Sequence, residues 1–254
     1  MTRLCLALTL VCSLVLASCS GLQDGGFNSG SNGGNGSNGG GGTNSSIKFV
    51  QAANFTAQAN NSASSYTATF TNSVTAGDLI VLAFWWNYPQ GAGVISVTDT
   101  GGNSYQQAVA TPANNNQNAW IYYSAQVAGG NNFSVTVDVS MLNTGQFSMA
   151  ALEYSGLTTL DATSSGSGNM TSNSTTSSSG SAPTHYANEL VVGVSLSGAL
   201  NTTMVGSGFT SRFSSSYFMV EDETVSAAGS YDAEFFLPTG CQSCTWQAGM
   251  ATFH

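Results

Sequence analysis

Apolar and polar positions alternate with a period of two along most of the chain beyond residue 46, and no stretch there repeats its apolar positions at helical spacing. The alternation predicts strands over Ile47–Asn54, Ser65–Thr71, Asp78–Trp86, Val94–Asp99, Ser104–Ala108, Asn118–Ser124, Phe133–Val139 and Phe147–Tyr154. It continues over Thr175–Tyr186, Glu189–Leu196, Phe209–Phe213, Tyr217–Asp222, Tyr231–Leu237 and Thr245–Phe253. Clusters of Gly, Asn and Ser separate these segments at the spacing expected of a sandwich or barrel. Leu79–Trp86 is apolar at every position, so both faces of that strand are expected to be covered.

The pattern repeats within the chain. Ala76-Gly77-Asp78-Leu79-Ile80-Val81 matches Ala187-Asn188-Glu189-Leu190-Val191-Val192, a polar turn followed by an acid and a buried strand. Val127–Val137 matches Val225–Phe235, and Phe147–Tyr154 matches Trp246–Phe253. The repeat puts the Ser/Thr-rich stretch Ala162–Ala182 where the first half has Gln51–Thr71, so it reads as a loop leading into a polar edge strand. An all-β fold is expected over 47–254: an antiparallel, jelly-roll-like β-sandwich built from two similar halves, 47–156 and 157–254. Two immunoglobulin-like β-sandwich domains are the alternative, and the lack of a Pro-rich or charged hinge favours one sandwich.

The N-terminus follows another pattern. One positive charge, Arg3, precedes a mostly apolar run from Leu4 to Leu16, the layout of a secretory signal and too short to span a bilayer. Leu16-Ala17-Ser18-Cys19 resembles the bacterial lipobox. That resemblance implies removal of residues 1–18 as a lipoprotein signal peptide and acylation of Cys19, with the membrane as a partner through the lipid. Ser20, in place of the aspartate that often marks inner-membrane retention in such lipoproteins, implies the outer membrane or cell surface. Residues 19–46 are the lipidated cysteine and a Gly/Asn/Ser-rich tether, a random coil with a root-mean-square reach of roughly 30 Å.

Charge narrows the partners. Beyond the tether only Lys48 and Arg212 are basic, in a chain of net charge −9, which excludes nucleic acid and anionic lipid surfaces. Cys5 and Cys12 leave with the signal, so Cys241 and Cys244 remain and are expected to form a disulfide across one turn. No βαβ context supports a redox C-x-x-C site, and no second ligand pair supports zinc.

Val97-Thr98-Asp99-Thr100-Gly101-Gly102-Asn103-Ser104-Tyr105 resembles the D-x-x-G-N turns of bacterial extracellular β-sandwich repeats. The layout as a whole resembles uncharacterised secreted bacterial β-sandwich proteins, which implies architecture and no particular activity. Trp85, Trp86 and Tyr88, with Trp120 and Tyr122, are candidate stacking surfaces for sugar rings, against a reading in which they are core. Asp99 and Asn103, and the run Glu221-Asp222-Glu223, offer oxygen ligands of the kind calcium takes, without a complete calcium-loop spacing. No cofactor other than calcium is suggested. There is no G-x-S-x-G and no H-E-x-x-H, and His185 and His254 are the only imidazoles. Asp138, Glu153 and Glu221 are the carboxylates a glycosidase would draw on. The expectation is a lipid-anchored, surface-displayed binding or adhesive module, with glycan the first ligand class and a surface protein the second. A polysaccharide-acting hydrolase or lyase on a jelly-roll scaffold, and a structural envelope lipoprotein, are the alternatives.

Overall fold

The computed structural model describes residues 46–57, 63–87, 91–113, 117–143, 145–170, 175–198, 203–237 and 244–254. Among these residues all regular structure is strand, as the period of two requires. In chain order the first strands are β1 (Lys48–Ala57), β2 (Ala63–Thr69), β3 (Leu79–Asn87), β4 (Val94–Asp99), β5 (Gln106–Ala110), β6 (Gln117–Ser124), β7 (Ser134–Asn143) and β8 (Phe147–Ser155). They are followed by β9 (Leu160–Asn169), β10 (Thr176–Ser178), β11 (Ala182–Pro183), β12 (Glu189–Ser197), β13 (Thr210–Ser214), β14 (Phe218–Val225), β15 (Ser230–Tyr231), β16 (Glu234–Phe236) and β17 (Thr245–Phe253).

All pairings between these strands are antiparallel. One five-stranded sheet has the order β1-β8-β3-β6-β5, and a three-stranded sheet has the order β2-β7-β4. A second five-stranded sheet has the order β13-β14-β12-β17-β9, and β10-β16 and β11-β15 form two short ribbons.

Alternation along β3 shows how the layers are held. Ile80, Leu82, Phe84 and Trp86 face the three-stranded sheet and join Tyr66, Phe133, Val135 and Val137 in one core. Leu79, Val81, Ala83 and Trp85 face the other way and pack with Leu190, Val192, Val194 and Leu196 of β12. The far side of β12 packs in turn against the ribbons, where Val191 meets Ala233, Phe235 and Met250. Strands β3 and β12 lie between two layers each, which is why β3 is apolar from Leu79 to Trp86 and β12 is buried along its whole length. Each fully buried Leu, Val or Phe there contributes about 1.5–3 kcal/mol.

The two five-stranded sheets meet at both ends of their strands. At one end Trp85 meets Tyr217 edge to face, and Thr111 Oγ1 donates to Gln247 Oε1 at 2.7 Å. At the other end, where β1 begins, Phe49 and Tyr154 meet Arg212 and Asp222.

The Ser/Thr-rich stretch departs from its expected form. Residues 160–169 are a strand, β9, paired along β17 at the sheet edge, and the expected strand Thr175–Tyr186 is two short pieces, β10 and β11. Edge position explains both, because β9 needs only backbone partners on one side and alternates half-buried with exposed residues. Cys244 packs beside Met170, Leu237 and Trp246. Its expected partner Cys241, the signal, Cys19 and the tether to residue 45 lie outside the described residues.

Candidate functional site

The edges of the two five-stranded sheets, β1 and β13, border a cleft of about 240 Å³ where β1 begins. Each edge carries a register shift there, between Phe49 and Gln51 in β1 and between Ser211 and Phe213 in β13. A bulge re-aims the side chains of an edge strand. Here Arg212 occupies the extra position of β13, and Phe49 and Arg212 both line the cleft. Ile47, Tyr154, Thr210, Asp222, Glu223 and Thr224 line it too.

Four side chains from four strands form its floor. The Arg212 guanidinium lies 3.9 Å from the centre of the Phe49 ring, and Arg212 Nε donates to Asp222 Oδ2 at 2.8 Å. The same oxygen accepts the Tyr154 hydroxyl at 2.6 Å. Asp222 and Tyr154 are buried, while the Arg212 side chain keeps about 22 % of its surface exposed. Burial, reinforced by the Asp222 charge and hydrogen bond, holds the Tyr154 hydroxyl well above the usual phenol range, so it stays a donor. Gly208 borders the cleft at φ +91°, and a Cβ there would lie 2.9 Å from Glu223 Oε1. Glycine therefore leaves room for that carboxylate. The cleft thus presents guanidinium and threonine donors beside carboxylate and hydroxyl acceptors, an array suited to hydroxyl-rich ligands.

Across the same pair of sheets, the opposite edges β5 and β9 border a shallower groove of about 330 Å³. Ala108, Val109, Ala110, Thr163, Ser164 and Ser165 line it. Among the described residues no charged side chain does.

Four further carboxyl residues are buried elsewhere among the described residues, Asp78, Glu153, Glu189 and Glu221. Glu153 accepts Gln51 Nε2 at 2.6 Å and Thr75 N at 2.7 Å, tying the 70–78 segment to β1 and β8. Asp78 beside it is pushed up to about 6, first by burial and then by the hydrogen bond and charge of Glu153. Glu221 accepts Gly206 N at 2.8 Å inside the core beneath the ribbons.

The residues singled out from sequence fall in several places. Trp85 and Trp86 are buried on opposite faces of β3, so neither ring is open to stack on a sugar, and this corrects the platform expected of them. The cause is that both faces of β3 are covered. Trp120 is 9 % exposed and stacks on Phe84 at 5.1 Å, as does half-buried Tyr122 at 5.7 Å, so these rings also serve the core. Tyr88 lies outside the described residues. Asp99 accepts Asn103 N, Asn103 Nδ2 and the Tyr105 hydroxyl, and Asn103 Oδ1 accepts Ala128 N. Their oxygens are spent on the turn.

Glu221 and Asp222 point to opposite faces of β14, so the run Glu221-Asp222-Glu223 does not converge as a calcium cage. Among the described residues no three His, Cys, Asp or Glu side chains gather in a metal-holding group.

Of the cleft residues, only Asp222 and Glu223 stood out in the sequence, and for another chemistry. Phe49, Tyr154 and Arg212 come from separate strands, and each alone looks like an ordinary strand residue. Arg212 carried the one available signal, as one of two basic residues beyond the tether. Comparison with protein-family models, curated proteins and solved structures finds no match to this chain.

Proposed function

We propose that residues 47–254 are a duplicated jelly roll serving as a lipid-anchored, surface-displayed binding module, with glycan as its ligand class and the β1/β13 cleft as its site. The strand order supports the duplication. In a jelly roll, strands 1, 8, 3 and 6 share one sheet and strands 2, 7, 4 and 5 the other, whereas here β5 pairs with β6 in the larger sheet. Strands β1-β8-β3-β6 and β2-β7-β4 follow that succession, and β9-β17-β12-β14 repeat it, with the ribbons in place of the smaller sheet. The halves would then be two sandwiches joined through their larger sheets, a third arrangement beside the two weighed from sequence.

Register carries the equivalence down to residues. The sequence repeat equates Val81 with Val192, whose partners on β6 and β14 are Tyr123 and Asp222. Leu79 and Leu190 pair with Tyr154 and Phe253, and these pair onward with Phe49 and Leu160. The bulge in β13 leaves Arg212 as its extra residue, and the matching bulge in β5 leaves Ala108. The set Phe49, Tyr154, Asp222 and Arg212 on one side thus corresponds to Leu160, Phe253, Tyr123 and Ala108 on the other. There Tyr123 and Phe253 meet edge to face at 5.4 Å, where the first side has its Tyr154–Asp222 hydrogen bond.

This contrast is the observation that carries the proposal. The same place in the fold is filled once by apolar and aromatic groups and once by a partly buried ion pair, so the architecture does not demand the charges. A buried pair is commonly neutral in stability, or worse by about 1–4 kcal/mol, beside well-packed apolar residues. Its presence in an open cleft fits retention for binding, and the lipobox and tether support display outside the cell.

A glycan array probed with the full chain in detergent tests this reading. Binding is expected, and Thr210→Val together with Arg212→Lys should reduce it at least tenfold with an unchanged circular dichroism spectrum. Array binding untouched by both substitutions would move the site elsewhere.

A further inference from the structure

Resting on the glycan reading, we infer that the β1/β13 cleft selects saccharides without acidic groups. The Arg212 charge is committed to Asp222 at 2.8 Å. Glu223 lines the same cleft and makes no ion pair among the described residues. The cleft therefore has one carboxylate more than its cation balances. Lys48, the other basic residue of the domain, is not among the lining residues. The chain as a whole carries a net charge of −9, so anionic polymers are also repelled before they reach the site.

A uronate carboxylate entering the cleft would face Glu223 in partly desolvated surroundings, where like charges repel more strongly than in water. Uncharged sugar hydroxyls meet no such barrier. They donate to Glu223 and accept from the Arg212 guanidinium and the Thr210 hydroxyl, the two-way hydrogen bonding that polyols supply. Gly208 keeps the carboxylate in place, since a side chain there would collide with Glu223.

The test uses two array panels of matched chain length, neutral hexose and N-acetylhexosamine oligosaccharides against uronic acid oligosaccharides, probed with the full chain and with Glu223→Gln. The unaltered chain should bind members of the neutral panel and none of the uronate panel. Glu223→Gln should raise uronate binding relative to neutral binding at least tenfold. Preference of the unaltered chain for uronates, or a selectivity that Glu223→Gln leaves alone, would overturn this inference while leaving the glycan reading standing. Silence on both panels would overturn the glycan reading and this inference with it.

Discussion

Glu221 has no solvent exposure, and its Oε1 has no hydrogen-bond partner among the described residues. Burial pushes its carboxyl up to about 8, opposed by the Gly206 N–H and assisted by the charges of Glu223, Asp222 and Asp232. Because the folded value lies above the ordinary 4.5, the folded state holds the proton more tightly than the unfolded chain. The resulting stability is fully present below about pH 4.5 and is lost as pH rises through about 8. Glu221→Gln should therefore flatten the decline in thermal stability between pH 5 and 8 and raise stability at pH 9 by about 2–4 kcal/mol. Equal declines for both proteins would show that Glu221 does not titrate in this range.

Asp78 acts with the same sign over a lower window, from its ordinary 3.8 to about 6. Asp78→Asn should raise the melting temperature at pH 7 relative to pH 4, measured against the unaltered chain. A melting-temperature difference between the two proteins that stays constant from pH 4 to pH 7 would count against a raised Asp78 carboxyl in the folded state.

Among the elements, β12 is the most tightly bounded, and Gly193 shows by how much. A Cβ at this position would lie 2.6 Å from Ala233 Cβ and 3.1 Å from Glu221 Cγ, between β12 and the segment joining the ribbons. Gly193→Ala should cost about 1–3 kcal/mol in urea unfolding, the range of an overpacked core. No loss would mean that the ribbon layer yields freely.

The same enclosure decided what could be read from sequence. Strands β3, β8, β12 and β17 have two covered faces or strong alternation, and their apolar runs announce them. Strand β9 does not, because Leu160-Asp161-Ala162-Thr163-Ser164-Ser165-Gly166-Ser167-Gly168-Asn169 is held by backbone pairing at an edge and carries a linker's composition. The tryptophans misled for the opposite reason. Their bulk suggested a surface for ligands, but in a doubly covered strand it fills the core. The cleft was illegible because its floor depends on two bulges and on which edges face each other, neither of which the period of two records.

Across the chain, the first described residues reach the cleft, since Ile47 lines it. Mass spectrometry of the chain purified from membranes should find Cys19 as an acylated N-terminus. An unmodified Cys19 behind an intact signal would remove the anchor from this reading.

In the proposed reading, the charged floor of the cleft is kept for binding and not for folding. The register-equivalent positions of the proposed repeat supply the replacement set: Tyr154→Phe, Asp222→Tyr and Arg212→Ala reproduce Phe253, Tyr123 and Ala108. The decisive measurement is the unfolding free energy of this triple variant beside that of the unaltered chain. Stability equal to the original, or higher by about 1–4 kcal/mol, is the expected result. A loss of about 3 kcal/mol or more, of the size seen when a needed buried pair is broken, would contradict it and make the ion pair a structural element of the fold.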